Sequence, residues 1–172
     1  MMLKTVGHSN RSLSELIDLL KTSNVSYVVD IRSTPHSTRF PHFNRLELEK
    51  SLRDTGIDYL YLGDLLGGQP GLDQDLASAK WTQGRLDPHL ISSLRRSQRW
   101  KHGVEVLASL VRDRASNGQT GCLLCSEADP ARCHRSIVAL ELETKLPDLR
   151  VSHLISQDKH PRREVGVQEP LM

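Results

Sequence analysis

The sequence predicts a three-layer α/β fold, a mainly parallel five-strand sheet with helices on both faces. Short runs rich in β-branched and apolar residues alternate with helical patterns along the chain. Each helical pattern falls between two such runs, which is the mark of βαβ units with right-handed crossovers. One run, Gly121–Cys125 (GCLLC), is apolar enough for a strand covered on both faces.

The elements follow in chain order. Met2–Gly7 (MLKTVG) forms the first strand. Ser12 and Glu15 stand three apart as a capping box, and Leu13, Leu16, Ile17 and Leu20 follow at helical spacing, which predicts a helix over 13–22. Residues 26–31 (SYVVDI) form the second strand. Asn44 with Glu47 opens a helix over 45–54, which Gly56 ends. Residues 57–62 (IDYLYL) form the third strand. A long helix over 101–115 carries Val104, Leu107, Ala108, Leu110 and Val111 on one stripe and stops at Asn117-Gly118. After the fourth strand, a helix runs through Ile137, Val138 and Leu140 to Lys145, and 149–155 is the fifth strand.

This makes residues 1–155 a single domain without internal repeats. Residues 63–100 interrupt the alternation as a lid-like insertion, with Gly67-Gly68, Pro70-Gly71, Trp81, a basic run over 95–99 and a short helix over 88–97. Residues 156–172 read as a polar, frayed tail.

Composition excludes several classes. The 172 residues are 37% apolar and 26% charged, and no apolar run is long enough to cross a bilayer. The first residues lack the pattern of a secretory signal, and three cysteines, an odd number, argue against a disulfide framework. A reducing cytoplasm is the expected location. A net charge of +2 does not announce a nucleic-acid binder, yet 16 of the 23 basic residues are Arg, the better fork for phosphate or carboxylate. Coding bias gives the same excess.

In a parallel α/β sheet, ligands bind at the carboxyl ends of the strands. Those ends carry His8-Ser9, Asp30-Ile31-Arg32 with the loop through Arg39, Gly67-Gly68 beyond the third strand, and Cys125-Ser126-Glu127 through Arg132-Cys133-His134-Arg135. GHS near the start, D-I-R-S-x-P, L-G-G and L-L-C-x-E-x-D-P-x-x-C-H-R together resemble the family catalogued as domain of unknown function 488, over about residues 3–155. The resemblance implies an α/β fold and a site at His8, Asp30, Arg32, Cys125, Glu127, Cys133, His134 and Arg135, without a settled reaction.

Each candidate has a functional and a plain reading. Cys125, between a strand end and a helix start with Arg nearby, is either a low-pKa nucleophile or a buried structural thiol. Arg132 follows it one residue later than in phosphatases and sulfurtransferases that cradle an anion, and Glu127 and Asp129 inside the loop would repel one, so that analogy is rejected. Cys122 and Cys125 face opposite sides of a strand and cannot pinch one ion. Cys125, Cys133 and His134, with His8 as a fourth donor, match no standard zinc spacing, so the sequence assigns no metal and no cofactor. Arg135 binds either an anionic substrate or the carboxylate of Glu127 or Asp30. Asp30 and Arg32 project to one face and form either a site or a buried ion pair. Glu127 is the best acid–base candidate in a cleft that tunes it, with His8 beside it. Phe40 and Phe43 stack a base or pin their loop to the sheet. The paired glycines admit a ligand or make a turn.

The leading expectation is an enzyme, a hydrolase or transferase, whose pocket takes an anionic, phosphate-bearing nucleotide or nucleic acid. Arg32, Arg39, Arg132, Arg135, Asp30, Gly67 and Gly68 would bind it, and Glu127, His8, Cys125, Cys133 and His134 would carry the chemistry. A non-catalytic nucleic-acid-binding module and a metal- or thiol-dependent regulatory protein are the alternatives. No membrane partner is expected, and the sequence is silent on oligomeric state.

Overall fold

Five parallel strands hydrogen-bond in the order β3-β2-β4-β1-β5, where β1 is Met2–Gly7, β2 Tyr27–Asp30, β3 Asp58–Tyr61, β4 Gly121–Cys125 and β5 Arg150–Leu154. The computed structural model describes residues 1–68 and 88–155. The helices are α1 (Leu13–Thr22), α2 (Arg45–Arg53), α3 (Gly63–Leu66), α4 (Pro88–Arg96), α5 (Gln98–Ser116) and α6 (Arg135–Lys145).

Strand alternation divides the core into two layers. Val28, Cys122 and Leu124 point to the side covered by α1 and α2, meeting Leu16, Leu20, Leu48 and Leu52. Val29 and Leu123 point the other way, onto Leu66, Leu94, Trp100, Leu107, Ile137 and Leu142 of α3 to α6. The chain therefore leaves β1 and β2 toward one face and β4 toward the opposite face. Since β4 lies between β1 and β2, a crevice opens at its carboxyl end on both flanks, the place where doubly wound sheets take ligands. No helix among the described residues is long and apolar enough to cross a membrane.

Most local expectations hold, and the exceptions are informative. Ser12 and Glu15 close the capping box of α1. Asn44 begins α2 without capping it, because its Oδ1 accepts from Ser37 N at 2.6 Å and ties the preceding loop instead. The long helix starts earlier than its apolar stripe suggests, at Gln98, since Ser97 Oγ accepts from Trp100 N. Leu140 stands outside the stripe of α6, 52% exposed.

The described ends of the insertion pack into the domain. Leu66, Leu94 and Trp100 are fully buried in the same layer as β2 and β4, so the described part of 63–100 is a packed wall of the domain. Its basic run is engaged as well: Arg95 pairs with Glu141 at 2.6 Å and Arg99 donates to the Asp64 carbonyl at 2.6 Å. Pro70, Gly71, Trp81 and the tail over 156–172 lie outside the described residues.

Candidate active site

At the end of β2, Asp30 is fully buried and Arg32 is 4% exposed. Asp30 accepts from Arg32 Nε and Nη2, from Arg32 N and from Tyr59 Oη at 2.7 Å. Arg32 Nη1 donates to the Phe43 carbonyl at 2.9 Å, tying the second loop to the network. Burial and the Asp30 carboxylate push the Tyr59 phenol upward, so it stays a donor at neutral pH. The Asp30–Arg32 pair is thus a desolvated, multiply bonded ion pair, the plain reading, although Arg32 also lines cavities at the rim.

After β4 the loop is held from two directions. Gly7 stands so close that a Cβ there would lie 1.7 Å from the Glu127 carbonyl oxygen, which only glycine permits. From the other side Arg135, fully buried, donates to the carbonyls of Glu127 and Ala128 at 2.5 and 2.8 Å. Arg135 therefore binds neither carboxylate proposed for it, and its guanidinium clamps the loop backbone rather than reaching an external anion.

The loop returns to α6 through a separate 3-10 turn, Pro130–Arg132, capped by Asp129 through its bond from Ala131 N. Helix α6 itself starts only at Arg135. Cys133 and His134 occupy the joint between turn and helix, and this brings them back to Cys125. One sulfur from each cysteine and one ring nitrogen of His134 lie within 4.8 Å of one another, all three residues buried. His134 Nε2–H donates to the Ile31 carbonyl at 3.0 Å, so Nδ1 is the bare nitrogen and faces Cys125 Sγ at 3.8 Å. The hydrogen bond from Cys133 holds the Cys125 thiol below the ordinary range, aided by the N–H groups of Ser126 and Glu127 and by the Arg135 charge, against the opposing effect of burial. Cys133, the donor in that bond and itself buried, is pushed up to about 12. Cys122 faces the opposite layer, as its strand position requires.

Two cavities flank this cluster. One of about 180 Å³ is bounded by Arg32, Thr34, Gly68, Cys125, Glu127 and His134. The other, about 640 Å³, shares Arg32, Thr34, Ser126 and Glu127 and adds His8, Arg39 and Arg132. Burial foremost, then the Arg32 charge, lowers the His8 pKa to about 4, so its ring is neutral at pH 7. Its Nδ1–H donates to the Ser9 carbonyl at 3.0 Å, which leaves Nε2 as an acceptor. The ring stacks on Phe43 at 4.3 Å between centroids.

Residues read from the sequence therefore fall into distinct places. His8, Arg32, Arg39, Cys125, Glu127, Arg132, Cys133, His134 and Gly68 meet at the two cavities. His8 does not join the donor cluster of Cys125, Cys133 and His134. Glu127 is exposed at the mouth rather than held in a closed cleft. Asp30 supports from below. Gly67 and Gly68 admit protein rather than ligand, since Cβ atoms there would meet Ser33 Oγ at 2.4 Å and the His134 ring at 2.5 Å. Phe43 is fully buried and Phe40 packs against the core, so the loop is pinned, and no base-stacking platform forms from Phe43. Sequence reasoning missed Tyr59, Thr34 and Ser126. Tyr59 had a signal, its place one strand over from Asp30, but only the register pairing Val28 with Tyr59 reveals it.

A family model described as Domain of unknown function DUF488 matches residues 12–142. Neither the curated proteins nor the solved structures contain a match to the chain.

Proposed function

The chain belongs to the DUF488 family, and we propose that it is an enzyme acting on a phosphate-bearing small molecule of nucleotide type at the carboxyl rim of its sheet. The observation that carries this reading is the convergence of four chain segments on two cavities that share Arg32, Thr34, Ser126 and Glu127. A structural rim has no need to gather an exposed carboxylate, a neutral imidazole and exposed arginines around one opening. Arg39 and Arg132, both exposed at the wider cavity, bind the phosphate, and Arg32, whose three guanidinium nitrogens are already bonded to Asp30 and the Phe43 carbonyl, lines its inner limit. Glu127 moves a proton from the mouth, and His8 Nε2 accepts one from within. The reaction is a hydrolysis or group transfer at that phosphate-bearing group. Three free, buried thiols favour a reducing, cytoplasmic setting.

The test is equilibrium binding of nucleoside monophosphates, diphosphates and the parent nucleosides to the full chain and to the double variant Arg39→Ala/Arg132→Ala. Two charge-assisted phosphate contacts of about 1.5–3 kcal/mol each predict a loss of more than about tenfold for the phosphorylated ligands. Equal binding of nucleoside and nucleotide, or no loss in the double variant, refutes the reading.

A further inference from the structure

We propose that Cys125, Cys133 and His134 form a three-donor site for a zinc ion, with its fourth position open to the cavity beside Arg32 and Glu127. The donors come from a strand end and from the joint before α6 and meet only through the loop between, while His8, the fourth donor the sequence offers, stays outside the set.

The geometry fits. A tetrahedral zinc with bonds of about 2.3 Å to sulfur and about 2.0–2.1 Å to nitrogen places its ligand atoms about 3.5–3.8 Å apart. Cys125 Sγ and His134 Nδ1 already stand 3.8 Å apart, and all three donor atoms lie within 4.8 Å of one another. Closing the set onto one ion takes side-chain shifts of less than about 1 Å.

The supporting shell is also in place. Metal-bound imidazoles usually donate their second N–H to a backbone carbonyl or carboxylate, which fixes the tautomer and the ring plane. His134 makes that bond to Ile31, leaving Nδ1 bare. The backbone at Gly68 lies against the ring and keeps it from turning away. Burial is 95% or more at both thiols, so soft donors are shielded from bulk water. Three protein donors beside a cavity match a catalytic site with one exchangeable position, whereas a purely structural site would supply four.

Metal binding does not depend on the nucleotide reading; only the use of the open position does. If that reading holds, the ion polarises a phosphoryl oxygen or activates a water at the same cavity.

The experiment uses the full chain, purified under reducing conditions and stripped with a chelator. Cobalt(II) is then added, and visible absorption follows the ion. One equivalent per chain, with the intense bands of tetrahedral cobalt and thiolate charge transfer, is the expected result. Zinc, measured by competition with a chromophoric chelator, should displace it. Cys125→Ser, Cys133→Ser and His134→Gln should each weaken zinc by more than the roughly 10–100-fold that loss of a second-shell partner costs. Cys122→Ala, on the opposite layer, should leave the spectrum unchanged. Wild-type protein that stays folded and takes up no cobalt overturns the proposal without recourse to any variant. So does an octahedral, thiolate-free spectrum, or a Cys125–Cys133 disulfide whose reduction restores no uptake. Nucleotide binding that survives in metal-free protein would leave the proposed function standing while this result stands or falls alone.

Discussion

Replacing Asp30 by Asn isolates the ion pair beneath the site with almost no change of shape. In the native chain the carboxylate takes five hydrogen bonds, four from Arg32 (its Nε shared by both oxygens) and one from Tyr59, in a place with no solvent contact. Asn keeps one acceptor and removes the charge, leaving Arg32 buried with only the Phe43 carbonyl as a firm partner. Breaking one side of a buried pair costs about 3–5 kcal/mol, because the surviving charge stays desolvated. For a chain of this size that corresponds to a fall in Tm of about 6–20 °C. Tyr59→Phe removes a single bond to a charged acceptor and should cost only about 1.5–3 kcal/mol. Adding Arg32→Met to Asp30→Asn should recover part of the loss, since an apolar pair escapes the desolvation penalty. Urea unfolding at pH 7, followed by circular dichroism, reads all four proteins. An Asp30→Asn change within about 1 kcal/mol of wild type, or smaller than that of Tyr59→Phe, refutes the picture of a sealed pair.

Two further predictions concern the wall and the pH response. Leu94→Ala should cost about 2–5 kcal/mol in the same urea assay, as for other fully buried leucines; a near-neutral result would restore the view of α4 as a detachable lid. His8 has a folded pKa of about 4 against an ordinary 6.5, so between these values the unfolded chain binds the proton first. Stability from this residue is therefore complete above about pH 6.5 and is lost as the pH falls toward 4, in total about 3–3.5 kcal/mol. His8→Asn, with a side-chain amide that does not titrate, should flatten that part of the pH–stability curve. An unchanged slope would contradict it.

The order of strands and helices was legible because periodicity and caps act locally. Ser12 and Glu15 satisfy helix amides three residues apart, and GCLLC has no polar position to place in water. What the sequence hid depends on distance in space. Asp129 and Pro130 begin only a short turn, and the break after it delivers Cys133 and His134 to Cys125. The sequence offers that donor set with His8 as a fourth member, but linear spacing could not show that the three meet and that His8 stays outside. Nor could it show that Arg135 would turn inward, since the carbonyls that hold it are exposed only by the loop's own path. The packing of the described ends of the insertion was hidden for a similar reason. Leu66, Leu94 and Trp100 are separated by residues that break any period, and they join one layer only once α3, α4 and α5 are stacked.

The inward turn of Arg135 has an electrical consequence. It carries a full positive charge at the positive end of α6, neutralised by no carboxylate among the ion pairs of the described residues and answered only by carbonyl dipoles. Mobile ions cannot reach a cation sealed this deeply, so its field persists where that of surface arginines is damped. The potential at the rim therefore has two sources of different character, the exposed Arg39 and Arg132, whose contribution fades as electrolyte is added, and Arg135, whose contribution is built permanently into the floor.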